Sequence, residues 1–433
     1  MNNSYEYKST SLPWIKEVPK HWEIEKGKHL FSKMNRPVRE KDEIVTAFRD
    51  GQVTLRKNRR EEGFTNSLKE IGYQGVRKGD LVIHEMDAFA GAIGVSDSDG
   101  KCTPVYSVCK PKFDINPVYY SYLLREISRS GYILSLARGI RERSTDFRYK
   151  DFGNLYLLVP PREEQNKIVD FLNVKIKLIG EYIEIKDKQV QLAQEKIQMI
   201  IHNAVTKGIG NNKKKKDSGI DWLGDIPIGW SVVKNRYLFK EIVDYAGSEE
   251  FELLSITRNK GIVKQSETGR NNRSSVDKSG YKVVKKGQMA YNLMNVFMGS
   301  IGVSNYTGII SPAYAVFTPI DKAQVNTDYF HYLFRTSLYL SEFTKNAYGI
   351  MYERNRLYFE RFKNIYSILP PIEEQNLIVN YINEKIEEIE SYIRVINKQI
   401  EYLKEYKESL ISGVIRGKIN VTNFSNTRSE INV

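Results

Sequence analysis

The chain has 433 residues, 41% of them hydrophobic and 27% charged, with a formal net charge of +13. That length predicts two to four domains with packed cores, and so basic a balance points to a polyanionic partner, most often nucleic acid. Cys102 and Cys109 alone exclude a disulfide framework, no histidine near them completes a zinc site, and no apolar run approaches the 18 residues of a membrane span.

The first residues, MNNSYEYKST, lack the apolar core of a signal peptide, so a cytoplasmic protein with reduced cysteines is expected. WIKEVPKHWEIEKGKHLF (Trp14 to Phe31) follows, and it returns as WLGDIPIGWSVVKNRYLF (Trp222 to Phe239) at an offset of 208. All four tryptophans lie in these two stretches. KGDLVIHEMDAFAGAIGVS (Lys78 to Ser96) returns as KGQMAYNLMNVFMGSIGVS (Lys286 to Ser304). Both copies read as strands around a turn, with Gly91 and Gly299 permitting a tight backbone. NPVYYSYLLR (Asn116 to Arg125) returns as NTDYFHYLFR (Asn326 to Arg335) and reads as a helix. Gly139-Ile140 and Gly349-Ile350 each stand 21 residues before a Pro-Pro pair.

That pair opens the strongest repeat. PPREEQNKIVDFLNVKI (Pro160 to Ile176) and PPIEEQNLIVNYINEKI (Pro370 to Ile386) agree at 11 of 17 positions. Proline fits a helix start, where the missing N–H has no intrahelical partner. Glu163, Glu164, Glu373 and Glu374 place negative charge at the positive end of the helix dipole. A heptad frame then gives an apolar seam: Leu172, Ile176, Ile179, Ile183, Val190, Ala193, Ile197, Ile200 and Ala204, broken by Lys186. The second copy reads Ile382, Ile386, Ile389, Ile393, Ile396, Ile400, Leu403, Leu410 and Val414, broken by Lys407. About five heptads predict a coiled coil; the alternative is that each helix lies on its own globular unit.

The expected layout is an α+β chain of two similar globular units separated by a long antiparallel two-helix coiled coil, a tandem repeat with pseudo-twofold symmetry. The expected boundaries are a first unit at 1–159, a helix at 160–208, a linker at 209–216, a second unit at 217–369, a helix at 370–420 and a tail at 421–433. Lys213–Lys216 read as a solvated linker or as a phosphate contact.

Where the copies diverge, they are polar and basic. The first such pair is RDGQVTLRKNRREEGFTNSLKE from Arg49 and TRNKGIVKQSETGRNNRSSVDKS from Thr257. The second is RERSTDFRYK from Arg141 and MYERNRLYFER from Met351, where Phe147, Tyr149, Tyr352 and Tyr358 interleave with arginines. The candidate DNA contacts are Arg56, Lys57, Arg59, Arg60, Arg141, Arg143 and Arg148 in the first copy, and Arg258, Lys260, Arg270, Arg273, Arg354 and Arg356 in the second. Such side chains contact phosphates, and arginine also reads guanine edges. A bidentate Arg–guanine contact discriminates by about 1–3 kcal/mol, so one small unit selects weakly. Tethering two units raises affinity by roughly 10²–10⁴.

Catalytic signatures are absent from the sequence. No GxxxxGK[ST] loop occurs, which argues against ATP hydrolysis by this chain. NPVYY lacks the second proline of the Asn-Pro-Pro-Tyr motif of amino-methyltransferases and reads as a helix start. His21, His29, His84, His202 and His331 are scattered without ligand spacing. No catalytic or metal residue is assigned.

DSGIDWLGDIP (Asp217 to Pro227) with its following Trp230, a variable basic unit, PPxEEQN and a long helix, all essentially repeated, resemble the specificity subunit of Type I restriction–modification systems. The resemblance implies two target recognition domains, each reading half of a bipartite site in double-stranded DNA, with the helices as a ruler. It implies a non-catalytic subunit holding two methyltransferase and two restriction subunits. S-adenosylmethionine, ATP and Mg2+ would belong to those partners, adenine N6 being the methylated atom. Exposed helix positions such as Glu181, Lys188, Glu387 and Lys398 would meet them. The alternatives are a stand-alone two-headed DNA-binding scaffold and an enzyme with an unrecognised site.

Overall fold

The computed structural model describes residues 5–59, 70–136, 146–210, 213–247, 251–258, 261–269, 278–348 and 355–424. The chain is a mixed helix-and-sheet fold that forms two compact units: Met1–Ile185 with Gln399–Val433, and Lys186–Lys398. Each long helix therefore contributes one half to each unit.

In the first unit a four-stranded antiparallel sheet runs in the order Phe31–Lys33, Tyr106–Pro111, Leu81–His84, Ile93–Val95. Strand Leu81–His84 shows why it is a strand. Side chains alternate across a sheet with period two. Leu81 and Ile83 enter a core with Tyr119, Tyr120 and Leu123 of the helix Pro117–Arg129. Val82 faces the other way, into a smaller core with Val45, Val53, Val76 and Val108. A hairpin, Val45–Ala47 with Val53–Leu55, closes that second face. Two further antiparallel pairs join Glu23–Lys26 to Tyr156–Val159 and Gln74–Val76 to Gly100–Cys102.

The second unit repeats this plan strand for strand. Its sheet runs Phe239–Ile242, Tyr314–Pro319, Met289–Asn292, Ile301–Val303. Met289 and Tyr291 enter the large core, and Ala290 enters the small one with Leu254, Ile256 and Ile262. The hairpin is Leu254–Thr257 with Gly261–Lys264, and Ser231–Lys234 pairs with Tyr366–Leu369. Gly91 and Gly299 occupy the left-handed region at φ 89° and 90°, each ending a single turn of 3-10 helix, which a side chain would strain.

The first long helix spans Arg162–Lys207 and the second Ile372–Ile415. At 1.5 Å per residue they are about 69 and 66 Å long. In the first unit, Ile168, Leu172 and Ile179 near the start of one share a core with Leu410, Ile411 and Val414 near the end of the other. Ile176, Ile183 and Leu403 pack against that core. In the second unit, Ala204 and Val205 share a core with Ile378 and Ile382, and Ile386 packs against it. Of the remaining seam positions, Ile389, Ile396 and Ile400 are buried, and Val190, Ile197 and Ile393 are half-buried.

Part of the expected linker at 209–216 is regular structure. Lys215–Asp217 is a strand paired with Asp225–Pro227, and the Lys213 ammonium pairs with the Glu374 carboxylate. The segment supplies the hydrogen-bond partner that strand 225–227 needs. Phe147, which interleaves with arginines in the sequence, is 1% exposed in the first core.

Candidate nucleic-acid interface

The repeated PPxEEQN motif is a clamp. In the first unit the Gln165 side chain accepts the Asn116 backbone N–H at 2.8 Å and donates to the Pro160 carbonyl at 2.8 Å. Asn116 caps the helix Pro117–Arg129 by accepting from the Val118 N–H, and its amide donates to Asn166 at 2.8 Å. The second unit repeats every bond. Gln375 accepts from Asn326 at 2.9 Å and donates to Pro370 at 2.8 Å, and Asn326 donates to Asn376 at 2.7 Å. The clamp ties each long helix to the globular part that carries its candidate DNA contacts. The first glutamate of each motif turns outward, and the second closes on another segment of its own unit: Glu164 takes His21 at 2.8 Å and the Tyr5 hydroxyl, while Glu374 takes Lys213.

In each unit the two divergent stretches meet at one turn. In the first it is His84–Gly91. Arg49 of the hairpin pairs with Asp87 at 2.8 Å. On the other flank the Phe147 N–H donates to the Glu85 carbonyl at 2.9 Å, next to Arg148. In the second it is Asn292–Gly299. A Cβ on Gly299 would lie 3.5 Å from the Arg258 carbonyl, and the Leu357 N–H donates to the Leu293 carbonyl at 2.9 Å, next to Arg356.

Among the candidate contacts, Arg56 is half-buried and donates to Thr46 at 3.2 Å. Lys57 pairs with Glu43 at 2.6 Å; Arg59 pairs with Asp50 at 2.7 Å and lies over the Phe48 ring. Arg148 pairs with Asp146 at 2.5 Å, which holds its guanidinium above the usual arginine range. Arg258 and Arg356 are exposed. Arg60, Arg141, Arg143, Lys260, Arg270, Arg273 and Arg354 lie outside the described residues, as does Tyr352. Lys57, Arg59 and Arg148 are thus held by exposed or half-exposed carboxylates, weak tethers that a phosphate can replace.

Among the described residues no group of three His, Cys, Asp or Glu side chains could hold a metal ion. Burial pushes the Cys102 thiol up to about 12 and the Cys109 thiol higher still, so both are poor nucleophiles. No helix among the described residues is long and apolar enough to cross a membrane. Sequence reasoning passed over Gln165, Asn166 and their counterparts as scaffold. The signal was there in the spacing: 49 residues separate Asn116 from Gln165 and Asn326 from Gln375.

No family model matches the chain. The fold is that of the S subunits of Type I restriction–modification systems. It superposes on a chain from a structure determined for the complex assembly and conformational transition of the type I R-M system, with a TM-score of 0.65, 15% identity, and 93% of this chain and 99% of that one covered. It also superposes on the HsdS subunit from Thermoanaerobacter tengcongensis, with a TM-score of 0.51, 16% identity, and coverage of 93% and 98%. In sequence, the chain is 24% identical over 325 residues, 71% of either protein, to the Type I restriction enzyme MjaVIII specificity subunit of Methanocaldococcus jannaschii. The chain is thus a homologue of a Type I specificity subunit, as its repeated motifs led us to expect.

Proposed function

We propose that this chain is the non-catalytic, DNA-reading subunit of a Type I restriction–modification complex, with one recognition domain for each half of a bipartite site. One observation carries this reading: two units with the same strand pairings bring unlike basic stretches to the same turn. A shared frame with divergent contacts suits two heads reading two different short sequences. The long helices pair antiparallel as a coiled coil and set the spacer between half-sites. The sharing of cores by opposite helix ends within each unit supports that pairing.

Two methyltransferase and two restriction subunits assemble on this scaffold and bring S-adenosylmethionine, ATP and Mg2+ for adenine methylation and cleavage. A second apolar stripe on the helices supports partner docking. Tyr182, Ile185, Leu192 and Met199 of the first helix are exposed, as are Tyr392, Val395, Tyr402 and Tyr406 of the second. In the second unit, Leu192, Lys196, Glu388 and Tyr392 line a groove of about 440 Å³ that suits an amphipathic partner helix. Glu181, Lys188, Glu387 and Lys398 are exposed on the same helices.

Co-expression with the methyltransferase subunit tests the proposal. Co-purification, and methylation of adenine only when both chains are present, is expected. Methyl transfer by this chain alone would overturn it, and DNA binding without co-purification would favour the stand-alone scaffold.

A further inference from the structure

Arg125 and Arg335 occupy matching places in the two units, yet lie outside the divergent stretches. Each lies against its unit's hairpin, Arg125 at Gly51 and Arg335 at the Arg258 carbonyl. Gly51 has φ 92°, and a Cβ there would lie 2.4 Å from Arg125 Nη1 and 2.6 Å from its Cζ. A Cβ on Gly94 would lie 2.0 Å from the Gly51 carbonyl oxygen, so hairpin, sheet and guanidinium meet with no room for a side chain. In the second unit Gly261 has φ 71° and a Cβ there would lie 2.9 Å from His331 Cε1. Arg335 Nη1 lies 2.9 Å from His331 Nε2, and Nη2 donates to the Arg258 carbonyl at 2.6 Å. Arg125 forms no ion pair among the described residues. Burial pulls both guanidinium groups below the usual arginine range. A half-buried cation kept at the matching place in both copies suits a role that a neutral side chain would not fill.

We propose that Arg125 and Arg335 are positioning residues for half-site recognition, each seating the glycine turn of its hairpin against the sheet and so fixing the pose of the residues that meet DNA. The mechanism is geometric. A guanidinium's rigid fork of donors can hold a backbone carbonyl at a defined height, as Arg335 holds that of Arg258, while Arg125 fills the space beneath Gly51. Arg258, whose carbonyl takes one of these donors, is itself a candidate contact in the second unit. In the first, the same hairpin leads into Arg56, Lys57 and Arg59. Recognition constellations tolerate displacements of only about 0.5 Å.

The proposal rests on the DNA-reading function above. Its test uses the full chain assembled with its methyltransferase partner, and duplexes carrying the site defined by mapping modified adenines in the host genome. Three duplexes are compared: intact, first half scrambled and second half scrambled. For Arg335→Met we expect discrimination at the second half-site to fall roughly tenfold to a hundredfold, the equivalent of one or two base contacts. The first half-site should be read as before, and the slope of log affinity against log salt should not change. Arg335→Lys should recover little, and Arg125→Met should do the converse at the first half-site. A uniform loss on all duplexes with the salt slope reduced by about one would identify a phosphate contact and overturn the proposal. Undiminished discrimination in both methionine variants, with the wild type discriminating, would overturn it too. Failure of the wild type to distinguish the three duplexes would instead remove the DNA-reading function beneath it.

Discussion

Gln165 accepts the backbone N–H of Asn116 at 2.8 Å while donating to the Pro160 carbonyl, and both it and Gln375 are at most 1% exposed. The amide thus joins three segments, the end of a strand, the start of a long helix and the cap of a shorter one. A carboxylate accepts but does not donate, so Gln375→Glu sets a negative charge against the Pro370 carbonyl. Gln165→Ala or Gln375→Ala orphans a part-buried N–H and a buried carbonyl, at a cost of about 1–3 kcal/mol for a buried group left unmade. Urea unfolding should show losses of that order, with the glutamate variant at least as unstable at neutral pH. A change below about 0.5 kcal/mol would deny the clamp its role.

Glu126 is 2% exposed and accepts from Arg129 at 2.8 Å, Arg416 at 2.9 Å and Ser412 at 2.7 Å. It therefore fastens the last turn of the second long helix, and the residue after it, to the first unit. Thr336 stands at the matching place in the second unit and caps a helix there instead. Removing one partner from a buried ion network is destabilising by about 3–5 kcal/mol. Glu126→Ala should lose that much in denaturant unfolding, and Thr336→Ala only about 1 kcal/mol, the worth of a helix cap. Equal losses at the two positions would contradict this asymmetry.

Burial, with Arg335 beside it, pulls the His331 imidazole down to about 3. An unfolded chain binds that proton near pH 6.5. Between pH 6.5 and 3 the unfolded state holds more protons at this site, so stability falls as pH falls, by up to about 1.4 kcal/mol per pH unit. Above pH 6.5 the site contributes no slope. Unfolding of the wild type should therefore weaken on acidification through that window more steeply than that of His331→Gln. Parallel profiles would remove the assignment.

The proposed ruler implies a spacing. Deleting seven residues from each long helix, one heptad, shortens each by about 10.5 Å and keeps the apolar face in register. The modified adenines in the genome should then lie about three base pairs closer, at roughly 3.4 Å each. Both half-sites should remain readable. An unchanged spacer would refute the ruler.

Much of this was legible in residue order because the chain repeats itself. Trp22 and Trp230 are each at most 1% exposed, and a duplicated tryptophan marks a core whatever the fold. Heptads marked Leu172 and Ile382, both fully buried. The clamp was less legible, because Gln165 and Asn116 lie 49 residues apart and only the fold shows which amide meets which backbone group. The burial of Phe147 was no more legible. Its neighbours are charged, and local composition says nothing of a side chain that turns inward. The strand at Lys215–Asp217 was not legible in its run of lysines, because the side chains stay exposed and a strand needs only its backbone to pair.

The most direct measurement exchanges residues 217–369 for the same unit of a related chain and maps modified adenines across the host genome, with the methyltransferase partner present. One half of the bipartite motif should change, and the other half and the spacer should stay as they were. Loss of both halves, or a motif that does not change at all, would contradict two independent readers on one scaffold.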